Sequence, residues 1–253
     1  MSGHSKWSTI KHKKGMLDAR RGQLFTKLSR EIMIAARAGE PDPDMNFRLR
    51  LAVDNAKANN MPKDNIERAI AKGAGTGAGQ DALEEITYEG YGPGGTGIII
   101  RTLTDNRNRA ATEVRTKLTR NGGTMAQSGA VAWNFEQKGL ITVRVLEGFD
   151  PEDIALEIVD AGAEDVEVED GTVQVTSPFD GFAQVQKAVE AMAGVTLEQA
   201  DIAMVPNSTV ELDADTSRQA LRLLDALEEL DDVQKVFSNA DFDEVALEEY
   251  ATA

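Results

Sequence analysis

Apolar residues recur at intervals of three or four positions in three successive stretches near the start of the chain. This period is typical of amphipathic helices that bury one face. We expect helices from residue 21 to Gly39, over 44–58 and over 62–73, and because each is too short to be stable alone, they should pack as a bundle. Their buried faces are predicted to contain Leu24, Leu28, Ile32 and Ala35, then Leu49, Ala52, Val53 and Ala56, then Ile66, Ala69 and Ile70.

The pattern then changes from helix to strand. Residues 74–79 are rich in glycine and alanine, which predicts a flexible linker that acts as a hinge. Beyond them the apolar period drops to two, which predicts strands over 86–89 and 97–103 joined by a glycine-rich turn at 90–95. We expect a helix over 106–121 next.

Asp105 is the predicted cap of that helix, because a carboxylate before the first turn can accept its free N–H groups. On the same helix, Glu113 and Lys117 have the spacing of an ion pair. Residues 131–135 are a further strand candidate.

Residues 139–205 have the element order strand, helix, strand, strand, helix, strand, which is that of a ferredoxin-like sandwich. The predicted elements are strand 140–146, a helix opened by Asp150-Pro151, strands 165–168 and 172–176 around the Asp170-Gly171 turn, a helix opened by Ser177-Pro178, and strand 199–205.

After Pro206 we expect strand 209–212, a helix over 216–230 and strand 233–238. These elements are too few to bury by themselves the apolar face predicted for the helix, which consists of Leu221, Leu224 and Leu227. Together with the strand, helix and strand predicted between residues 96 and 136, they complete a second ferredoxin-like unit, into which the preceding unit is inserted. Such an insertion is feasible because the termini of a domain often lie close together.

The predicted fold class is therefore α+β with three domains, an N-terminal helical bundle followed by two ferredoxin-like α/β sandwiches, the third domain inserted into the second. The predicted divisions are a basic N-terminal arm at 1–20, a three-helix domain at 21–73, a glycine-rich linker at 74–79, a discontinuous middle domain at 80–138 plus 206–253, and an inserted domain at 139–205.

Charge is distributed very unevenly along the 253 residues, whose net charge is -16. Residues 1–72 contain 15 Lys and Arg against 8 Asp and Glu, residues 73–148 contain 8 of each, and residues 149–253 contain 4 against 27. A basic end on an acidic protein indicates a nucleic-acid contact confined to that end, since the rest of the molecule would be repelled.

Composition also limits the chemistry. Cysteine is absent, which removes disulfides, thiolate catalysis and Cys-based zinc sites and fits a cytoplasmic location. The longest purely apolar run, residues 32–36, is far too short for a membrane span, and the start of the chain lacks the apolar segment of a secretory signal.

Gly90, Gly92 and Gly95 have the spacing of a dinucleotide-binding loop, but a strand rather than a helix follows them, so a glycine-rich hairpin is the better interpretation. The stretch starting at Asp213 resembles a calcium loop with Arg218 where a glycine is needed. We therefore expect no cofactor and no metal.

The two histidines, His4 and His12, lie among lysines in a stretch without apolar period, where nothing would hold them beside a nucleophile. We expect no catalytic residue, no enzymatic activity and no small-molecule substrate. What remains is binding.

Lysine and arginine bind phosphates, and Trp7 could either stack on an unpaired base or anchor the arm on the bundle. Arg107 and Arg109 lie near the start of a predicted helix, where a bound anion would relieve their repulsion from the helix dipole. The candidate nucleic-acid-binding residues are Lys6, Trp7, Lys11, His12, Lys13, Lys14, Arg20, Arg21, Lys27, Arg107 and Arg109.

Several long blocks then identify a resemblance. They are Gly3-His-Ser-Lys-Trp7, Ile10-Lys-His-Lys-Lys14, Asn59-Asn-Met-Pro-Lys-Asp-Asn-Ile-Glu-Arg-Ala-Ile70, Tyr88-Glu-Gly-Tyr-Gly-Pro-Gly-Gly95 and Thr104-Asp-Asn-Arg-Asn-Arg109. In this order they resemble the signature blocks of the YebC/PmpR family over nearly the whole chain. The sequence departs from the family pattern at Glu40, Thr119-Arg120, Ala126 and Trp133.

The resemblance implies three domains, with the third inserted into the second, and a non-enzymatic regulator of gene expression in the cytosol. Bacterial members of the family are commonly described as DNA-binding transcriptional regulators. The similar mitochondrial member is a translational activator of a cytochrome oxidase subunit, and members have been linked to ribosomes stalled at proline-rich stretches.

Three hypotheses therefore stay open. The sequence favours a ribosome-associated factor that contacts rRNA or tRNA, because the helical domain lacks a basic second helix that could read a duplex groove and a Lys-rich arm suits a structured RNA surface. The alternatives are a DNA-binding transcriptional regulator and a protein-protein adaptor that uses the acidic domains.

Overall fold

The computed structural model describes Trp7 and residues 18–75, 83–169 and 171–252, with the side chains of residues 18–21 outside the description. Two compact units are present, Met1–Phe135 with Pro206–Ala253 and Glu136–Val205. The helices are α1 (Asp18–Ala38), α2 (Phe47–Ala58), α3 (Lys63–Gly73), α4 (Arg107–Arg120), α5 (Pro151–Asp160), α6 (Phe182–Ala191), α7 (Ala214–Glu228) and α8 (Glu244–Thr252). The strands are β1 (Glu84–Tyr91), β2 (Gly97–Thr104), β3 (Thr124–Met125), β4 (Phe135–Val145), β5 (Asp165–Glu169), β6 (Thr172–Pro178), β7 (Val195–Pro206), β8 (Val210–Glu211), β9 (Val233–Ser238) and β10 (Ala240–Asp241).

The first three helices form the predicted bundle, and the residues of the three apolar stripes share one buried cluster, with Leu24 and Ile70 partly buried at its margin. Two residues, Asn46 and Gly73, determine how the start of α2 and the end of α3 lie against α1. Asn46 caps α2 by accepting from the Leu49 N–H and donates to the carbonyl oxygen of Ala35 near the end of α1. A Cβ on Gly73 would lie 2.4 Å from a main-chain oxygen of α1, so glycine permits the close approach of α3.

A four-stranded antiparallel sheet in the order β3-β1-β2-β9 forms the rest of the first unit. The glycine-rich stretch after Tyr91 is the connection between β1 and β2, as predicted. The main apolar core contains side chains from the sheet and from α4, α7 and α8. The predicted buried line of α7, Leu221, Leu224 and Leu227, is confirmed.

The middle sheet has the strand arrangement of a ferredoxin-like sandwich, but one strand differs from the prediction. Residues 209–212 were expected as the third strand of the ferredoxin-like order, whose place in such a sheet is between the first strand, here β2, and the second, here β3 instead of the predicted 131–135. That position belongs instead to β1, which precedes both in the chain and pairs antiparallel with each. Only Val210–Glu211 is extended in the predicted stretch, and it pairs in parallel with β10 outside the main sheet. A hairpin partner next to β2 costs less loop closure than a strand more than 100 residues away.

Three local predictions also need correction. Asn106, not Asp105, caps α4, because its side chain accepts from the Arg109 N–H. Residues 131–135 are not a strand: a 3₁₀ turn occupies Ala132–Asn134 and β4 begins at Phe135. Lys117 pairs with Glu229 of α7 at 3.6 Å rather than with Glu113.

The second unit has the predicted ferredoxin-like order, with its sheet arranged β5-β6-β4-β7. Asp150 caps α5 by accepting from the Glu152 N–H, as expected. Ser177 and Pro178 do not open α6 but complete β6, where they pair with Gly139 and Lys138, and the helix starts at Phe182. The α+β class is thus confirmed in both units. Among the described residues, none of the helices is long and apolar enough to cross a membrane.

Candidate nucleic-acid interface

The predicted arm lies largely beyond the description of the structure. Lys6, Lys11, His12, Lys13 and Lys14 fall outside the described residues. The backbone of Arg20 and Arg21 belongs to the first turn of α1, so their positions follow directly on the arm, and nothing is described of their side chains.

Trp7 is 1% exposed and belongs to the core cluster of the α/β part of the first unit. It shares that cluster with residues such as Leu118 and Leu223 and does not belong to the cluster of the helical bundle. In this position Trp7 cannot stack on a base. The anchoring alternative fits its burial, with the α/β core instead of the bundle as its partner.

Lys27 is also turned inward. Its Nζ donates to the main-chain oxygen of Glu228 at the end of α7, and burial lowers the pKa of the amine from 10.5 to about 8, against the opposing attraction of Asp231. A lysine whose amine is largely buried and bonded to a carbonyl oxygen is poorly placed to neutralise a phosphate.

Arg109 belongs to a buried ionic cluster that the sequence did not reveal. We call the group of Asp232, Arg30, Arg109 and Thr104 the Asp232 cluster. The Asp232 side chain is 4% exposed and accepts from Arg30 at 3.0 Å, from Arg109 at 2.8 Å and from the Thr104 hydroxyl at 2.8 Å. The hydrogen bonds that Arg109 donates to Asp232 and to Asp105 raise its pKa above the usual value, so this guanidinium is held by two carboxylates.

A second ionic bridge joins the bundle to the sheet. Glu85 of β1 accepts from Arg48 of α2 at 2.9 Å and from Arg101 of β2 at 2.6 Å. Burial raises the pKa of Glu85, but the two guanidinium groups outweigh it and the net shift is downward. Like the Asp232 cluster and the hydrogen bond from Lys27 to Glu228, this bridge fastens the bundle to the α/β part.

The remaining arginines of α4 face solvent. Arg107 is exposed and lies 3.5 Å from Glu84, a weak contact between two well-solvated groups. Arg115 and Arg120 are exposed as well, and neither forms a salt bridge with any residue that the structure describes. Arg107 therefore stays available to a phosphate, whereas Arg109 does not.

One feature was missed by sequence reasoning: a well-ordered loop that displays an aromatic ring. We call residues 126–134 the aromatic loop. Glu89, 5% exposed, accepts from the N–H groups of Gly129 at 2.6 Å, Val131 at 2.7 Å and Ala132 at 2.9 Å. At the end of the loop Trp133 is 74% exposed. The departure from the family pattern at Trp133 was the one available signal.

Burial would raise the pKa of Glu89, but the hydrogen bonds from the loop backbone lower it by more, so the carboxylate is ionised. Across the described part of the chain, no group of three or more His, Asp or Glu side chains has the geometry of a metal site.

Comparisons with known proteins match nearly the whole chain to one family. The family model described as the TACO1/YebC protein N-terminal domain matches residues 5–76, and that of the TACO1/YebC second and third domain matches residues 83–240. A relative from Dehalococcoides mccartyi strain 195, named a probable transcriptional regulatory protein, is 53% identical over 250 residues, covering 99% of this chain and 98% of its own.

Two further comparisons extend the agreement. A relative of the same name from Herpetosiphon aurantiacus is 50% identical over 251 residues, covering 99% of each chain. The crystal structure of a conserved hypothetical protein from Aquifex aeolicus, 44% identical, matches with a TM-score of 0.81 over 90% of this chain and 93% of that one.

Proposed function

The chain belongs to the TACO1/YebC family, and we propose that it is a non-enzymatic, cytoplasmic regulator of gene expression that acts by binding nucleic acid. The observation that supports this most is the concentration of positive charge at one end. Residues 1–30 contain eight Lys and Arg and a single acid, Asp18, on a chain of net charge -16. Such a polarity directs one end toward phosphates and keeps the rest away.

Hydrogen bonds within the first unit reduce the number of these cations that are candidates for phosphate contacts. Of those eight cations, Lys27 and Arg30 are bonded to main-chain oxygens and to Asp232 inside the first unit. The six others all precede residue 22, and we infer that they make the phosphate contacts: Lys6, Lys11, Lys13, Lys14, Arg20 and Arg21.

Duplex DNA is the target that the names of the relatives favour, since both are called probable transcriptional regulatory proteins. Binding would then depend mainly on phosphate contacts, with affinity that falls steeply as salt rises.

A ribosome-associated translation factor is a second candidate, and one observation favours it. Arg48 and Arg50, the arginines of α2, are bonded to Glu85 and to the main-chain oxygens of Pro43 and Asp44. The second helix of the bundle therefore does not offer the free base-reading side chains that a helix-turn-helix protein places in a major groove.

Two measurements on the full chain test the proposal and decide between the candidates. The first is a gel shift on duplex DNA of defined sequences, and the second is cosedimentation with purified bacterial ribosomes, both across a salt series. A preference for particular duplexes that survives about 200 mM salt supports the transcriptional regulator, whereas saturable ribosome binding with only salt-sensitive DNA binding supports the translation factor. Binding to neither would contradict the proposed function.

A further inference from the structure

The first unit has a surface without charged side chains, which is unusual in a chain this acidic. Three stretches contribute to it, residues 90–100, 121–134 and 206–210, and none contains Asp, Glu, Lys or Arg. We call this surface the neutral edge. A carboxylate-free surface is one that a polyanion can approach without repulsion.

Contacts show that the three stretches are adjacent. Tyr91 pairs with Thr124 across β1 and β3. The Asn134 side chain accepts from the Ser208 N–H at 3.0 Å and donates to the Ser208 carbonyl oxygen at 2.8 Å. The acid closest to the loop in this network, Glu89, is buried and has both oxygens bonded to loop N–H groups.

Two aromatic rings converge within the neutral edge. The indole Nε1 of Trp133 donates to the Ala130 carbonyl oxygen at 3.0 Å, and the Tyr91 hydroxyl donates to the same oxygen at 3.3 Å. Because its only polar atom is bonded within the loop, the exposed part of the Trp133 side chain is aromatic carbon surface. Tyr91 is 41% exposed beside it.

The loop is held at both ends, so the Trp133 ring is presented by a fixed backbone. Glu89 fixes the stretch from Gly129 to Ala132, and Asn134, the residue after Trp133, is fixed by its side-chain hydrogen bonds with Ser208. A pre-ordered aromatic surface loses little conformational entropy when a flat ligand stacks on it. Single exposed apolar residues are common on protein surfaces, but this one has a fixed backbone and lies in a stretch without charged residues.

We propose that Trp133, supported by Tyr91, is a stacking site for an unpaired base of a single-stranded nucleic acid. Every base has a π face, so such a site binds single strands with little sequence preference. A base inside a duplex is already stacked on both sides and cannot bind there. Arg120 is exposed at the end of α4, just before the turn into β3, where it can contact the adjacent phosphate.

This inference rests on the proposed function and adds a site to it, distant in sequence from the basic arm. The chain has two tryptophans, and because Trp7 is buried in the core while Trp133 is exposed, Trp133→Phe separates their emissions. The probes are a 12-nucleotide single-stranded RNA, the DNA of the same sequence, and the DNA duplex. Binding is followed in parallel by anisotropy of a fluorescent label on each probe.

Both single strands are expected to quench the Trp133 emission, while the duplex is not. Trp133→Ala should weaken single-strand binding about 5- to 100-fold, and Trp133→Phe, which keeps a ring, should retain most of the affinity. Phe179→Ala, which removes another exposed ring from the acidic second unit, is the matched control and should bind like the unaltered protein. Equal affinity for RNA and DNA would support recognition of the base alone, and a preference for RNA would support an added contact to the 2′-hydroxyl.

Single-strand binding that is unaffected by Trp133→Ala and does not quench the Trp133 emission would overturn the stacking site. The proposed function would still stand, and the exposed ring would then indicate a contact with a protein. Equal losses in Trp133→Ala and Trp133→Phe would also overturn it, because stacking tolerates phenylalanine. Failure of all three probes to bind would contradict the stacking site and the proposed function together.

Discussion

The guanidinium of Arg30 lies 3.0 Å from the buried carboxylate of Asp232, and the two residues are 202 positions apart in the chain. Arg30 belongs to the helical bundle and Asp232 to the segment that leads into β9. The same carboxylate also binds Arg109 at the start of α4. One acid thus joins the bundle, the sheet and α4, so the orientation of the bundle does not depend on the linker at 74–79 alone.

Asp232→Asn should destabilise the first unit by about 1 to 3 kcal/mol, because it removes the anionic partner of the largely buried Arg30 and one of the two carboxylates that hold the more exposed Arg109. Urea unfolding followed by tryptophan emission measures the change. The matched control is Asp231→Asn, since Asp231 is exposed and, among the residues that the structure describes, its carboxylate accepts one long hydrogen bond, 3.4 Å from the Gln23 amide. Equal effects of the two substitutions would show that the cluster does not stabilise the unit.

Lys27→Met should increase stability relative to the unaltered protein near neutral pH and leave nucleic-acid binding unchanged. The folded-state pKa of Lys27 is lowered from 10.5 to about 8, so the unfolded chain binds the proton more tightly. Stability of the unaltered protein should therefore rise as pH increases from about 8 to about 10.5, by up to about 3 kcal/mol, and Lys27→Met should lack this rise. Urea unfolding across that range measures it. A weakening of nucleic-acid binding by Lys27→Met would show that Lys27 contributes to the interface.

Glu89→Gln should release the aromatic loop. The pKa of Glu89 lies below its ordinary value of 4.5, so its stabilising contribution is complete above that pH and is lost as pH falls through the folded-state pKa. At pH 7 the substitution should cost about 1 to 3 kcal/mol, and the difference from the unaltered protein should shrink as pH falls through the lowered pKa of Glu89. Hydrogen exchange at the amides of Gly129, Val131 and Ala132 measures the loss of protection in the aromatic loop directly.

Glu84→Gln is the control for that experiment, because Glu84 lies on the same strand and is exposed. Unchanged protection of the three loop amides in Glu89→Gln would contradict the role assigned to the carboxylate.

Gly139→Ala should destabilise the second unit by about 1 to 3 kcal/mol, since a Cβ there would lie 2.2 Å from the ring of Phe182 and 2.4 Å from Ser177. Gly181→Ala is matched to it, because its nearest neighbour would be 3.5 Å away. Limited proteolysis of the full chain should cut the variant within 136–205 while duplex binding is retained. Loss of binding would show that the second unit takes part in the interface.

The elements that the sequence predicted correctly depend on local signals. The stripe of α1 and the Asp150 cap of α5 can be recognised from a few neighbouring residues. Asp231 and Asp232 are adjacent and chemically identical, yet Asp232 alone is buried, because Arg30 and Arg109 meet it from distant parts of the chain. No local pattern contains that information.

The same reason explains the errors at the candidate site. Lys27 was a candidate because of its charge and Arg109 because it lies near the start of a helix, and neither feature reveals that each has an internal partner. Residues 209–212 alternate like a strand, but the place beside β2 is taken by the nearer β1. Trp133 departs from the family pattern, and the sequence does not explain why. The hydrogen bonds of Glu89 to the loop backbone explain why the loop that carries Trp133 is ordered.

Charge reversal of the arm tests the central claim most directly. The variant replaces Lys11, Lys13, Lys14, Arg20 and Arg21 with Glu, and the control replaces five exposed cations elsewhere, Lys57, Lys63, Arg68, Lys187 and Arg222, for the same change in net charge. The affinity for duplex DNA and for single-stranded RNA is measured against salt concentration. We expect the arm variant to lose binding and salt dependence, with the control close to the unaltered protein, because each phosphate contact on duplex DNA contributes about 0.9 to the log-log slope. Retained binding in the arm variant, with loss in the control, would contradict the assignment of the basic arm as the nucleic-acid interface.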